Sequence, residues 1–200
     1  MITDRVAAFD ALYRDDADPW STSERWYEER KRGLVLASLP KRRFADAYEA
    51  GCGNGNLSVE LAARCDVVEA SDASREALVR AKARPALPPN IRFVQHLLPA
   101  DWPDRAYELI VLSEVLYFLA PADIDSIAAR VGLYARDADT VIACDWRAPI
   151  EGHSLTGEEA HRRFGRTLAQ ATLCEYIDDD LIITVWGRDA RSLAVREGIR

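Results

Sequence analysis

The chain lacks any run of about 18 apolar residues, so no membrane-crossing helix is expected. Its opening, Met1-Ile2-Thr3-Asp4-Arg5, lacks the charged-then-apolar pattern of a signal peptide. It also lacks an excess of positive charge. With 26 Lys and Arg against 33 Asp and Glu, the net charge is -7. A general nucleic-acid binder needs a basic surface to neutralise phosphates, so that class is disfavoured. The four cysteines, Cys52, Cys65, Cys144 and Cys174, are scattered with no Cys-x-x-Cys pair. This argues against a metal site or disulfide framework and for free thiols in a reducing cytoplasm. No internal repeat or low-complexity segment is present. What remains is a chain of 200 residues, 48% hydrophobic, which suits one domain with a substantial core.

The chain opens with helical patterns over 3–14 and 24–39, joined by the polar turn Asp15-Asp16-Ala17-Asp18-Pro19 and Trp20. Ser21-Thr22-Ser23 offers a cap for the second helix, and Pro40 ends it. Strand and helix signals then alternate: strands at 45–50, 66–71, 91–94, 107–113 and 140–145, helices at 56–64, 74–83 and 122–134. Ser74 is placed to cap the helix it begins. Short apolar strands separated by helices predict a mostly parallel α/β sheet with helices on both faces. After a helix at 157–169, runs at 172–177 and 181–186 flank Asp178-Asp179-Asp180. That predicts a terminal antiparallel hairpin, although its tip has no glycine. From Arg188 the tail is polar and expected to be loosely held.

The first strand ends in Glu49-Ala50-Gly51-Cys52-Gly53-Asn54-Gly55 and a helix follows. Glycines let backbone pass close to a ligand, and the helix that follows aims free N–H groups at it. Asp72, 21 residues after Gly51, stands near the end of the second strand, where an acid can bind ribose hydroxyls. Nicotinamide-dependent dehydrogenases use the same logic. Here, however, the third glycine comes at +4, not the +5 of the dinucleotide fingerprint. Glu49 would also repel a pyrophosphate, whereas a cation would favour it.

These residues, with Tyr107-Glu-Leu-Ile-Val-Leu-Ser-Glu-Val-Leu-Tyr-Phe-Leu119, resemble class I S-adenosylmethionine-dependent methyltransferases over 45–119. The terminal hairpin extends the likeness to about residue 187. Asp18-Pro19-Trp20, Trp26-Tyr27-Glu28-Glu29-Arg30, Glu114-Val115-Leu116-Tyr117 and the short length resemble more narrowly the NodS-like enzymes. Those N-methylate the free amine of a deacetylated chitooligosaccharide. The resemblance implies a Rossmann-like seven-stranded sheet in a single domain, with an N-terminal helical lid over 1–40 and a core over 44–187.

The resemblance also implies roles. Gly51, Cys52, Gly53, Asn54 and Gly55 cradle S-adenosylmethionine, with Glu49 near its amino end. Asp72 meets the ribose and Ala73 the adenine. His96-Leu97-Leu98 stand where the family lines the adenine pocket, often with an acid; His96 is either a donor to the ring or a surface residue. Ser113 and Glu114 belong at the mouth of the site. Trp20 and Tyr27 belong to the lid over the cofactor, and Arg30, Lys31 or Arg32 meets the methionine carboxylate. Glu114 or His153 accepts a proton from an amine nucleophile; in the loop after the fifth strand, Trp146 stacks on an apolar sugar face and His153, Glu151 or Asp145 orients a nucleophile. His161 is a weaker candidate base.

The expected substrate is a small molecule or an oligosaccharide carrying an amine, with neither nucleic acid nor membrane as partner. Ser113-Glu114-Val115-Leu116 replaces the Asn-Pro motif of DNA and some protein methyltransferases. An NAD-dependent oxidoreductase and a non-catalytic S-adenosylmethionine-binding protein are the alternatives. The +4 glycine with Glu49 opposes the first; the intact cradle opposes the second.

Overall fold

A computed structural model of the chain describes residues 2–134, 136 and 139–200, with side chains from residue 6 onward. Two helices come first, α1 (Ile2–Asp15) and α2 (Trp26–Ser38). The alternation follows as β1 (Phe44–Ala50), α3 (Asn56–Ala62), β2 (Cys65–Asp72), α4 (Arg75–Lys82), β3 (Ile91–Gln95) and β4 (Leu109–Ser113). A 3-10 turn at Leu116–Phe118 leads to α5 (Pro121–Tyr134), β5 (Thr140–Trp146) and α6 (Gly157–Leu168). The hairpin β6 (Ala171–Ile177) and β7 (Leu181–Gly187) and a short α7 (Leu193–Arg196) complete the chain.

All seven strands form one sheet in the order β3-β2-β1-β4-β5-β7-β6. The first five run parallel, and β7 is antiparallel to both β5 and β6. The period-2 alternation of a strand divides the core in two. Ala47, Leu109, Val111, Ile142, Ile183 and Val185 face one cluster with Val35, Leu61 and Leu78 of α2, α3 and α4. Tyr48, Ile110, Leu112, Val141 and Ala143 face another with Ile124, Ile127 and Phe164 of α5 and α6. Both faces are therefore covered, which is why the central strands read as nearly continuous apolar runs.

Several local expectations change. β4 starts at Leu109, because Tyr107 turns into the second cluster and donates its hydroxyl to Glu69 Oε1 at 2.8 Å. Ser21-Thr22-Ser23 do not cap α2; Thr22 and Ser23 donate to Asp18 in the preceding turn. Ser74 does cap α4, accepting from Ala77 N at 3.1 Å. The hairpin manages without glycine because Asp178 Oδ1 accepts from Asp180 N and Leu181 N at 3.0 and 2.9 Å, closing the turn itself. The polar tail carries α7, capped by Ser192 and tied by Arg196 to the Asp189 carbonyl at 2.6 Å. Among the described residues no helix is long and apolar enough to cross a membrane.

Candidate active site

The parallel strands end on one edge of the sheet, and their order reverses between β1 and β4. Crossovers leave in opposite directions there and open a crevice. It holds a cavity of about 1070 Å³, walled on its other side by α1, the turn after it and α2. Six carboxylates line it against three basic side chains, so the cavity favours a cationic occupant.

Each strand end contributes in turn. Beyond β3, His96, Leu97 and Leu98 line the cavity. His96 Nδ1 lies 3.0 Å from the Tyr48 hydroxyl, which accepts from Ser71 Oγ at 2.8 Å. Beyond β2 come Asp72 and Ala73. Asp72 accepts from Gly53 N and Ser74 N, each at 2.8 Å, and each oxygen keeps lone-pair capacity for a further donor. Burial raises the Asp72 pKa, and the two backbone bonds oppose that rise.

Beyond β1 lie Glu49, Gly51, Cys52, Gly53 and Asn54. Gly53 has φ +55°, and a Cβ there would lie 2.6 Å from the Tyr13 hydroxyl. The loop thus approaches α1 as closely as glycine alone permits. Gly55 does not line the cavity; its φ of +80° starts α3 against Ala81 and Phe93. Glu49 is buried and accepts from Ser58 Oγ at 2.5 Å. Burial pushes its carboxyl up to about 8, so at neutral pH it keeps its proton until a cation draws it off. The fixed negative charge expected at this position is therefore conditional on what binds.

Ser113 and Glu114 line the cavity beyond β4. Glu114 has φ +57°, a left-handed conformation costly for a side-chain-bearing residue and held by its N–H donating to the Cys144 carbonyl at 2.8 Å. Its carboxylate accepts from Lys31 Nζ (2.9 Å), the Tyr117 hydroxyl (2.8 Å) and Trp146 N (3.0 Å). Lys31 also meets Glu28 at 3.0 Å. Burial works against the Lys31 charge, but Glu114 and Glu28 outweigh it and raise its pKa above the ordinary lysine range.

Trp20, Tyr27, Lys31 and Arg32 line the wall opposite the sheet. Arg30 does not; it binds Asp178 Oδ2 at 3.0 Å and the Tyr176 hydroxyl at 2.5 Å, joining α2 to the hairpin. Arg32 is held by Glu60 at 2.6 Å and by the Thr22 carbonyl at 2.7 Å. Trp146 lines the cavity beyond β5.

Four candidates stand elsewhere. His153 packs behind the wall on Phe118 and Tyr117, with ring centroids 5.0 and 5.9 Å away. Asp145 is fully buried and meets His161 Nδ1 at 2.8 Å, whose Nε2 meets Thr184 Oγ1 at 2.8 Å. Asp145 Oδ2 and His161 pair within the core, because the side chain before Trp146 must point to the opposite face of β5. Glu151 is exposed and does not line the cavity. Sequence reasoning missed Val6, Phe9 and Tyr13, which line the cavity from α1. Their spacing of three and four residues makes a one-faced helical stripe, a signal that they share a face but not of what that face covers.

The site fits S-adenosylmethionine on its own chemistry. The glycine loop lines the cavity at the end of β1, Asp72 offers a carboxylate with open lone pairs at the end of β2, and the acidic lining suits a sulfonium and an ammonium. Comparison with known proteins agrees. The family model for nodulation protein S (NodS) matches residues 8–151. Nodulation protein S of Rhizobium tropici is 31% identical over 116 residues, 58% of this chain and 48% of the relative, so the match spans about half of that protein. A Pseudomonas syringae structure provisionally assigned as a methyltransferase is 35% identical, covers 82% of this chain and all of its own, and superposes with a TM-score of 0.71. The N-methyltransferase NodS of Bradyrhizobium japonicum, in complex with S-adenosylhomocysteine, superposes with a TM-score of 0.77 at 19% identity, over 92% of this chain and 97% of that one. The chain belongs to the nodulation protein S family, and with it to the S-adenosylmethionine-dependent methyltransferases.

Proposed function

We propose that this chain N-methylates the free amine of a small amino-sugar acceptor, a deacetylated chitooligosaccharide being the acceptor class. The observation that carries the reading is the acidic cavity crossing the strand ends from His96 to Trp146. In strand order, adenine lies against Ala73, His96, Leu97 and Leu98, and the ribose against Asp72. The methionine end lies over Gly51, Cys52, Gly53 and Asn54, near Glu49 and Ser113. Gly55 supports the loop from behind. α1 and α2 act as a lid over residues 44–187, with Trp20 closing on the cofactor and Arg32 or Lys31 near its carboxylate. The part of the cavity beyond β4, between Glu114, Trp146 and α2, is then left for the acceptor.

When bound, S-adenosylmethionine supplies the methyl: the amine lone pair forms the N–C bond as the C–S bond breaks toward sulfur, leaving S-adenosylhomocysteine and a methylated ammonium. The chain's residues position, exclude water and hold charge. The N-methyltransferase activity of Bradyrhizobium japonicum NodS supports an amine acceptor. The +4 glycine weighs against a nicotinamide enzyme.

Calorimetric titration with S-adenosylhomocysteine and with NAD, followed by mass spectrometry of deacetylated chitooligosaccharides incubated with S-adenosylmethionine, tests this. Binding of S-adenosylhomocysteine and a 14-dalton gain on the sugar, the mass of a methyl replacing a hydrogen, are expected as about one methyl per acceptor amine. Binding of NAD instead would sink the reading.

A further inference from the structure

Among the described residues three buried polar side-chain atoms lack a hydrogen-bond partner: Tyr27 Oη, Asp145 Oδ1 and Gln170 Nε2. Of these residues, Tyr27 lines the large cavity. A buried hydroxyl left unpaired costs about 1–3 kcal/mol and calls for an explanation. Its ring packs against two neighbours at the cavity wall. Trp146 stands edge-on at 5.8 Å and 77°, and the Lys31 ammonium lies 5.5 Å from the ring centroid. The same neighbours place Tyr27 over the ends of β4 and β5, beyond the strand ends assigned to the adenosine half of the cofactor.

Glu114 is the obvious rival for contact with an acceptor amine. Its carboxylate already accepts from Lys31, Tyr117 and the Trp146 backbone, and it shares the Lys31 ammonium with Glu28. A carboxylate so held is a positioning group: it fixes the Lys31 ammonium, the Tyr117 hydroxyl and the start of the loop after β5. At this end of the cavity, among the described residues, the buried hydroxyl without a partner is that of Tyr27.

Resting on the reading above, we propose that Tyr27 is the residue that touches the acceptor nitrogen, its phenol oxygen accepting an N–H from the neutral amine and so turning the nitrogen lone pair toward the methyl. Burial, and then the Glu114 charge, raise the phenol pKa, so Tyr27 stays neutral and remains a hydrogen-bonding group throughout. Its role is therefore orientation. The proton that must leave the acceptor ammonium is lost to solvent before binding, and the methylated product leaves as an ammonium.

Tyr27→Phe removes one oxygen and keeps the ring. Expected are an S-adenosylhomocysteine Kd within about twofold of wild type, an unchanged or higher Tm, and a kcat lower by about tenfold or more. Binding of the β-1,4-linked glucosamine dimer to the S-adenosylhomocysteine-loaded protein should weaken by about fivefold or more. A variant equal to wild type in dimer binding and transfer, while wild type binds S-adenosylhomocysteine, overturns the Tyr27 assignment alone. A tenfold loss of S-adenosylhomocysteine affinity in the variant also overturns it, by placing Tyr27 on the cofactor. Wild type that binds no S-adenosylhomocysteine overturns the reading of the whole cavity. A measurement independent of the variant's folding is fluorine NMR of 3-fluorotyrosine incorporated at position 27. Its resonance should move on adding the dimer and far less on adding S-adenosylhomocysteine; the reverse order overturns the assignment.

Discussion

Asn54 of the glycine loop donates from Nδ2 to Asp18 Oδ1 across 3.0 Å, joining the cradle to the turn that carries Trp20. The same Asp18 carboxylate accepts from Thr22 N (2.8 Å), Thr22 Oγ1 (2.6 Å) and Ser23 N (2.8 Å). One acid thus shapes the turn and fastens it to the loop. Trp20 then rests on Tyr13 and Phe9, with centroids 5.5 and 6.2 Å apart. This gives Asp18-Pro19-Trp20 a physical purpose.

Asp18→Ala leaves four donors without their acceptor. The site is partly exposed, so water recovers some of the loss, and a stability cost of about 1–2 kcal/mol is expected. The larger effect should be functional. With only the bonds from Asn54 and Asn56 to the Thr22 and Ser23 hydroxyls left to hold the turn to the loop, S-adenosylhomocysteine affinity should fall about tenfold, and hydrogen exchange over 16–25 should quicken. Unchanged exchange and affinity would show that the tie is dispensable.

Glu49 predicts a pH dependence. Burial lifts its carboxyl to about 8 in the folded protein, against 4.5 for an ordinary glutamate. Between those values the folded chain holds a proton that the unfolded chain has released. Unfolding free energy contributed by this group is therefore full below about 4.5 and falls as pH rises toward 8. Glu49→Gln should flatten that slope in urea melts repeated across the range. A cationic ligand draws the proton off, so S-adenosylmethionine should bind more tightly as pH rises from about 6.5 to 8, with proton release on binding. Calorimetry in buffers of different ionisation enthalpy measures that release directly; its absence would contradict a protonated Glu49.

Gly53→Ala places a methyl 2.6 Å from the Tyr13 hydroxyl at a φ of +55°. The backbone term costs about 1 kcal/mol, and the clash pushes loop or helix out of place. S-adenosylhomocysteine affinity should fall by about tenfold or more. Because the next Tyr13 atom, Cζ, is 3.8 Å away, adding Tyr13→Phe should restore part of the affinity. If the double variant binds no better than Gly53→Ala, the strained backbone and not the clash is responsible.

His161→Ala strips partners from both Asp145 and Thr184 in the buried core. A carboxyl whose pKa burial already lifts to about 6 would lose its main support, and a cavity would open beside Trp186. A loss of about 3 kcal/mol in a denaturant melt is expected, with S-adenosylhomocysteine affinity little changed. A large drop in affinity at full stability would instead assign this histidine to the site.

The glycine cradle, Asp72 and the strand ends were legible because they depend on local rules. A chain turning sharply from strand to helix needs glycine, and an acid 21 residues on reaches the same edge of the sheet. Lys31 could not be chosen over Arg30 from sequence, since neighbours on a helix point to different sides. The packing of α2 sends Arg30 to the hairpin and Lys31 to Glu114. His153, Asp145 and His161 were drawn toward chemistry by residue type; their fates turn on which face of β5 and α6 meets the core. Val6, Phe9 and Tyr13 carry no mark of a site in the sequence because what an apolar helix face covers is unspecified by its spacing.

Periodicity, turn chemistry and the cradle motif suffice to dictate the α/β alternation, the parallel sheet with its closing hairpin, and the kind of cofactor. These follow from interactions within a few residues along the chain or from strand order alone. The network around Glu114, the protonation of Glu49, the tie from Asp18 to Asn54 and the unpaired hydroxyl of Tyr27 belong to a different order of information. Each joins segments brought together by burial of both sheet faces, and burial sets both the partners and the dielectric that shifts their charges. Such contacts come into being only with the folded core.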